Sequence, residues 1–128
     1  MRILIADDDT LFVRLLAGQL GAKGFSISVA YDALQVMQSA RQSPPDAILL
    51  DILLPGGTGL QVLQRLKASA KTSMIPVLVI SVSDDPTLPA TVQSLGAEGF
   101  FHKPVDIELV VSTLGRILGG NGNSNKAG

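Results

Sequence analysis

The sequence contains no cysteine and no tryptophan, and it has few charged residues. Without cysteine the chain can form no disulfide, bind no metal through thiolates and carry no cysteine nucleophile. Only 16% of the residues are charged, the formal net charge is -1 and Lys and Arg form no block, so no surface typical of direct nucleic-acid or membrane binding is expected. The chain also has neither an apolar run of about 18 residues nor a signal-like start, so a cytoplasmic location is expected.

Hydrophobic residues are abundant and make up 46% of the 128 positions. A chain of this size is expected to fold as one domain and to bury about two-thirds of the surface that the unfolded chain exposes. Residues 119–128, GGNGNSNKAG, contain one alanine as their only apolar residue. This segment is predicted to be a flexible Gly/Asn-rich tail or linker, which leaves residues 1–118 for the domain.

Five short apolar runs have the length of β-strands, and they lie at residues 3–6, 25–30, 47–50, 77–80 and 99–101. The first, third and fourth runs are apolar throughout, as is typical of strands buried on both faces of a parallel sheet. The second run alternates apolar residues with serines, which favours an edge strand with one face partly exposed.

The segments between these runs have apolar residues at helical spacing. The predicted buried faces consist of Leu11, Leu15, Leu16 and Leu20; Leu34, Met37 and Ala40; Val62, Leu63 and Leu66; Leu88, Val92 and Leu95; and Ile107, Val110, Leu114 and Leu118. Strands alternating with helices predict an α/β protein of the (βα)5 type. Its five-stranded parallel sheet is expected to be doubly wound, with helices on both faces.

Helix ends are indicated by local residue types. Gly21 and Gly24 are predicted to end the first helix. Asp32 and Asp106 are predicted to cap the second and fifth helices. The fourth helix is expected to begin near residue 87 or 88 and to be short, because prolines lie at its start.

Polar side chains follow four of the five predicted strands. They are Asp7 and Asp8 after the first strand, Asp51 after the third, Ser81 after the fourth and Lys103 after the fifth. Because the carboxyl ends of parallel strands meet at one edge of a sheet, these side chains are expected to lie together. Clustered carboxylates suit Mg²⁺, which proteins usually bind together with water and substrate phosphate. A lysine and a hydroxyl suit phosphoryl oxygens, and a carboxylate can itself accept a phosphoryl group.

Other polar residues near this edge are expected to have structural roles. Asp9 is predicted to lie at the start of the first helix rather than to bind a metal. His102, the single histidine, is expected to be a partly exposed strand residue. Asp84 and Asp85 follow Ser81 in a loop and are not assigned to the metal.

Four segments together carry a family resemblance, and they are ILIADD, AILLDILLPGGTGL, VLVIS and GAEGFFHKP. With these segments the chain resembles the receiver domain of a two-component response regulator over residues 1 to about 118. The resemblance implies the flavodoxin-like, CheY-like fold with strand order 2-1-3-4-5.

The resemblance also implies roles for particular residues. Asp51 is expected to be the phosphoacceptor, and Lys103 is expected to bind the phosphoryl group. Asp7, Asp8, Asp51 and the backbone carbonyl of Leu53 are expected to bind Mg²⁺, with Mn²⁺ as an alternative ion. Lys103 precedes a proline whose peptide bond is often cis in this family.

The resemblance further implies two residues that change position on phosphorylation. Ser81 corresponds to the switch hydroxyl and Phe100 to the switch aromatic residue. A sensor histidine kinase or phosphotransfer protein is expected to phosphorylate Asp51. The face formed by the fourth helix, fifth strand and fifth helix then changes and controls a partner or a linked output domain. The sequence does not decide whether the chain forms a homodimer through this face. It also does not decide between a stand-alone receiver and part of a longer protein.

Two other functions are open on the sequence. The segment DDDTL approximates the start of a haloacid-dehalogenase-like phosphatase, in which Asp7 would be the nucleophile. That interpretation leaves Asp51 without a role, and the expected function is a signalling switch that catalyses only its own phosphotransfer and dephosphorylation. The third interpretation is an interaction module that is not phosphorylated, which the branched Val82 beside Ser81 makes conceivable. The complete set of Asp7, Asp8, Asp51, Ser81 and Lys103 weighs against it.

Overall fold

The computed structural model describes residues 1–56 and 58–119. The predicted flexible tail therefore lies outside the described residues from position 120 onward. Gly119, predicted to begin that tail, is instead the last residue of a helical turn.

Five parallel strands form a single sheet in the order β2-β1-β3-β4-β5. The strands are β1 (Arg2–Ala6), β2 (Ser26–Ala30), β3 (Ala47–Asp51), β4 (Val77–Ser81) and β5 (Gly99–His102). Every residue of β3 and β4 is buried, because both strands are central and both faces of the sheet are covered. Residues of β2 alternate between exposed and more buried positions, as expected of an edge strand. The predicted doubly wound sheet with strand order 2-1-3-4-5 is confirmed.

Five helices cover the sheet, and they are α1 (Thr10–Ala22), α2 (Ala33–Gln42), α3 (Gly59–Ala68), α4 (Leu88–Ser94) and α5 (Ile107–Leu114). A π-helical turn, Gly115–Gly119, continues α5. The buried residues of α2, α3 and α4 form one core cluster with the sheet, and those of α1 and α5 form a second. Within the described residues, no helix combines the length and apolar character needed to cross a membrane.

The predicted buried face is wrong at three leucines. Leu11 and Leu15 on α1 are 63% and 60% exposed, and Leu34 on α2 is 66% exposed. Helix α1 instead buries Leu16 and Leu20 together with a valine. Because the leucines of α1 are spread over about half of its circumference, spacing alone did not distinguish the face that packs on the sheet.

Side chains cap four of the five helices. Asp9, Asp32, Thr58 and Asp106 accept hydrogen bonds from backbone N–H groups in the first turns of α1, α2, α3 and α5. The predicted structural roles of Asp9, Asp32 and Asp106 are thus confirmed. Helix α4 is the exception: it has seven residues, a proline in its first turn and no side-chain cap.

The end of α1 differs slightly from the prediction. Gly21 lies inside the helix, which extends to Ala22. Gly24 follows the helix with a φ of 98°, a conformation that glycine adopts more easily than other residues. Gly24 is therefore the residue that lets the chain turn toward β2.

Candidate functional site

The candidate site lies at the carboxyl edge of the sheet, where four strands end. Asp7 directly follows β1, Asp51 is the last residue of β3, Ser81 is the last residue of β4 and Lys103 directly follows β5. Asp7, Asp51 and Ser81 are buried, with exposed fractions of 1%, 5% and 0%. The parallel register therefore brings together polar side chains that are far apart in the sequence, as their positions at the strand ends predicted.

Lys103 is the central cation of the site. Its Nζ lies 2.7 Å from Oδ2 of Asp7 and 3.4 Å from Oδ2 of Asp51. The ammonium group also lies 4.3 Å from the centroid of the Phe12 ring, at cation–π distance. Since the lysine side chain is only 12% exposed, these contacts replace most of its hydration. Lys103 is thus held by two buried carboxylates and one aromatic ring.

The other oxygen of each buried carboxylate is bound to the backbone. Oδ1 of Asp7 accepts a hydrogen bond of 2.9 Å from the N–H of Asp9. Oδ1 of Asp51 accepts one of 3.1 Å from the N–H of Leu53. Each carboxylate is consequently oriented, with one oxygen toward the loop that follows its strand and the other toward Lys103.

Burial, hydrogen bonds and neighbouring charges shift the pKa values of Asp51 and Lys103. Burial raises the pKa of the Asp51 carboxyl and the negative charge of Asp7 raises it further, while the Leu53 N–H and Lys103 oppose the shift. Burial by itself lowers the pKa of Lys103. The hydrogen bond to Asp7 and the charges of Asp51 and Asp7 outweigh this effect, so the net pKa is raised. Lys103 is therefore an ammonium group at neutral pH, and Asp51 is an acid that further positive charge would help to ionise.

Asp8 completes an acidic cluster that fits one divalent cation. Carboxylate oxygens of Asp7, Asp8 and Asp51 all lie within 4.8 Å of one another. In octahedral Mg²⁺ coordination at about 2.1 Å, adjacent oxygens lie about 3.0 Å apart and opposite ones about 4.2 Å apart. The three carboxylates can therefore bind one ion after a modest adjustment of their side chains. Asp8 is exposed, which leaves a side open to water and to a phosphoryl group. Three carboxylates and one ammonium also leave two negative charges, which a divalent ion would balance.

The two predicted switch residues lie on neighbouring strands, Ser81 at the end of β4 and Phe100 within β5. The Ser81 Oγ accepts a hydrogen bond of 3.0 Å from the N–H of Ser83. Phe100 is half-buried and packs against the core cluster under α2, α3 and α4. A cavity of about 250 Å³ between α4 and β5 is lined by Phe100, Pro89 and Val92, among others. Ser81 therefore belongs to the edge with the acids, whereas Phe100 lies beside α4.

Two contacts near the site were not predicted. The position of Phe12 under Lys103 was missed, although Phe12 is the only aromatic residue of α1. His102 is partly exposed, as predicted, but its Nε2 also lies 3.0 Å from Oδ1 of Asp84. The Lys103–Pro104 peptide bond is cis, as the family resemblance led us to expect.

Comparisons with known proteins agree on the kind of domain. The family model described as "Response regulator receiver domain" matches residues 3–114. The chain is 34% identical to the protein PilH of Pseudomonas aeruginosa over 93% of this chain and 98% of PilH. It is 37% identical to the response regulator PleD of Caulobacter vibrioides over 82% of this chain but only 23% of PleD, so it spans about a quarter of that longer relative.

A solved structure extends the likeness to the fold. The CheY-like response regulator receiver domain protein of Methanospirillum hungatei is 21% identical, with a TM-score of 0.85 over 99% of this chain and 98% of that chain. The predicted CheY-like fold is thereby confirmed. The comparisons offer no support for the phosphatase interpretation with Asp7 as nucleophile.

Proposed function

Because this chain belongs to the response regulator receiver domain family, we propose that it is a phosphorylation switch in which Asp51 accepts the phosphoryl group. The observation that carries the proposal is the setting of the Asp51 carboxylate. It is buried at a strand end, oriented by the Leu53 N–H and flanked by two further acids and an ammonium group. This setting matches what transfer of a phosphoryl group to a carboxylate requires.

Asp7, Asp8 and Asp51 are the residues that would hold Mg²⁺, together with the backbone carbonyl of Leu53. When bound, the ion supplies positive charge that neutralises oxygens of the phosphoryl group. Asp51 itself attacks phosphorus through one carboxylate oxygen. A P–O bond forms there while the bond from phosphorus to the donor atom breaks, and the donor atom keeps the electron pair.

Lys103 and Ser81 act on the phosphoryl oxygens. The Lys103 ammonium already lies 3.4 Å from an Asp51 oxygen, so a phosphoryl group on Asp51 would come within its reach. The Ser81 hydroxyl can donate its hydrogen, because its present hydrogen bond from Ser83 uses it as an acceptor. If the hydroxyl turns toward the phosphoryl group, its hydrogen bond from the Ser83 N–H changes as well, so phosphorylation alters the loop after β4.

The donor is a histidine kinase or a phosphotransfer protein, and α1 is the surface that we propose contacts it. Leu11 and Leu15 lie one turn apart on this helix and are both largely exposed. The helix begins immediately after the acids, at Thr10, so a partner covering these leucines would reach the mouth of the site. Exposed leucines in such a position are typical of a protein contact surface.

The output is the face formed by α4, β5 and α5. Phe100 is half-buried beside the cavity between α4 and β5, so its side chain has room to change position there. Since Phe100 has no hydroxyl, packing alone would drive that change. A partner or a linked output domain would recognise the altered face, and self-association through it is a further outcome to measure.

Intact-protein mass spectrometry tests the proposal. The chain is incubated with a small phosphodonor such as acetyl phosphate, with Mg²⁺ or with EDTA. We expect one added phosphate that requires Mg²⁺ and is absent from Asp51→Asn. The matched control is Asp84→Asn, which alters an exposed aspartate outside the acidic cluster and should be labelled like the wild type.

Labelling of Asp51→Asn would contradict the assignment of the phosphoacceptor. Absence of labelling in the wild type, together with no binding of Mg²⁺ at millimolar concentration, would favour the interaction module that is not phosphorylated. Turnover of an aryl phosphate that depended on Asp7 and not on Asp51 would favour the phosphatase interpretation.

A further inference from the structure

The loop between β4 and α4 contains a ladder of hydrogen bonds that starts at Ser81. Ser81 Oγ accepts from the N–H of Ser83 at 3.0 Å, Ser83 Oγ accepts from the N–H of Asp85 at 3.1 Å, and Asp85 Oδ1 accepts from the N–H of Thr87 at 2.9 Å. Each bond joins a side chain to the backbone two residues later. The ladder thus runs without a gap from the last residue of β4 to the residue before α4.

Helix α4 has no side-chain cap of its own, and the last bond of the ladder reaches Thr87, the residue directly before the helix. Among the helices of residues 1–56 and 58–119, the other four are each capped by a side chain. Thr87, at the cap position of α4, donates its hydroxyl to Asp85 Oδ1 at 2.8 Å instead of accepting from the helix. Asp85 Oδ1 therefore accepts hydrogen bonds from both donors of Thr87, the backbone N–H and the side-chain hydroxyl.

A second tether of the loop is more exposed. His102 Nε2 lies 3.0 Å from Asp84 Oδ1, with side-chain exposures of 49% and 94%. Such an exposed pair contributes little to stability. The contact between His102 and Asp84 also does not involve Ser81, because it joins the loop to β5 and not to the end of β4.

Rotation of Ser81 has a geometric consequence for the ladder. Neighbouring staggered rotamers of a serine place Oγ about 2.3 Å apart. A hydrogen bond of 3.0 Å does not survive a displacement of that size unless the donor moves too. The Ser83 N–H must therefore lose its bond to Ser81 Oγ or move with it. A movement of Ser83 then changes its bond with Asp85, and a movement of Asp85 changes its bond with Thr87.

We propose that Asp85 is a positioning residue that links the orientation of the Ser81 hydroxyl to the start of α4. The link rests on the proposed function, since phosphorylation of Asp51 is what turns the hydroxyl. Asp85 does not touch the phosphoryl group. It transmits the change at Ser81 through Ser83 and Thr87 to the helix beside Phe100.

Hydrogen exchange of the α4 amides measures this link in the full chain. Exchange is recorded with and without beryllofluoride and Mg²⁺, which together mimic the phosphorylated state. Asp85→Ala removes the acceptor for Thr87, and Ser83→Ala removes the acceptor for Asp85. Asp85→Asn keeps a side-chain oxygen at the same position, and Asp84→Ala removes only the exposed tether to His102.

We expect Asp85→Ala and Ser83→Ala to take phosphate on Asp51 at the wild-type rate. The change in α4 exchange that beryllofluoride causes should fall about fivefold in both variants, the effect of losing one hydrogen bond. Asp85→Asn and Asp84→Ala should respond like the wild type. Thermal unfolding identifies any variant that is not folded, and the substitution at the other position then decides.

Three results would overturn the link. The first is a wild-type response of α4 in both ladder variants. The second is failure of Asp85→Ala to accept phosphate, which would mean that Asp85 acts at the site. The third is loss of the response in Asp84→Ala, which would assign the coupling to the His102 tether. If the wild type itself takes no phosphate, both this link and the proposed function fail; if only the ladder prediction fails, the proposed function stands.

Discussion

Replacing Lys103 by methionine removes the ammonium group but keeps an unbranched stem beside Phe12. The lysine lies 2.7 Å from Asp7 and 3.4 Å from Asp51. At an effective dielectric constant of about 20, unit charges attract by about 6 kcal/mol at the shorter distance and about 5 kcal/mol at the longer one. Desolvation cancels most of this attraction, and losing one partner of a buried ion pair costs about 3 to 5 kcal/mol. We expect the free energy of unfolding of Lys103→Met to fall by about 3 kcal/mol, at the lower end of this range. Asp51 can bind a proton and so avoid part of the cost of an unpaired buried charge.

Urea unfolding followed by circular dichroism, in EDTA and then in Mg²⁺, measures this loss. The matched control is Lys23→Met, which removes an exposed ion pair with Glu108. An exposed pair of this kind is worth about 1 kcal/mol or less. Added Mg²⁺ should reduce the deficit of Lys103→Met, since the cation supplies charge to the same carboxylates, and should leave Lys23→Met unchanged. Equal losses for the two variants in EDTA would refute the reasoning about the buried pair.

Three further variants test other parts of the structure. In EDTA at pH 7, Asp51→Asn should be more stable than the wild type. The raised pKa of Asp51 means that its protonated form is favoured on folding, so stability is lost as the pH rises from 3.8 through the folded pKa, and the advantage of the variant should vanish in acid. Leu15→Arg should slow phosphotransfer from a kinase about fivefold and not from acetyl phosphate, whereas Met74→Arg, at another exposed apolar residue, should slow neither. Leu53→Asn should speed loss of the phosphate about fivefold, because an amide can bind the attacking water and leucine cannot; an unchanged lifetime on gel-shift or mass analysis would contradict this.

Local sequence determined the strands and the starts of three helices. Strands were predicted within one residue of their observed bounds, because continuous apolar runs of that length suit central strands of a parallel sheet. Asp9, Asp32 and Asp106 were predicted to start helices, since a carboxylate before a helix can accept N–H groups that lack a partner. These interactions join residues close together in the chain, so a sequence pattern contains both partners.

The sequence also identified which residues share the functional edge, because the carboxyl ends of parallel strands must lie together. It did not provide the distances that determine their chemistry. The bond between Lys103 and Asp7 joins residues 96 positions apart, and its length depends on the packing of β1 against its neighbours in the sheet. The pKa of Asp51 likewise depends on burial by several elements at once.

Only the tertiary structure decided which face of a leucine-rich helix is buried and what lies beneath the lysine. Leu11 and Leu15 are exposed because α1 turns Leu16 and Leu20 toward the sheet, and both choices satisfy helical spacing. Phe12 lies under Lys103 because α1 and the end of β5 meet at the same edge. Spacing along one element determines which residues share a face, but the direction of that face is determined by the elements that pack against it.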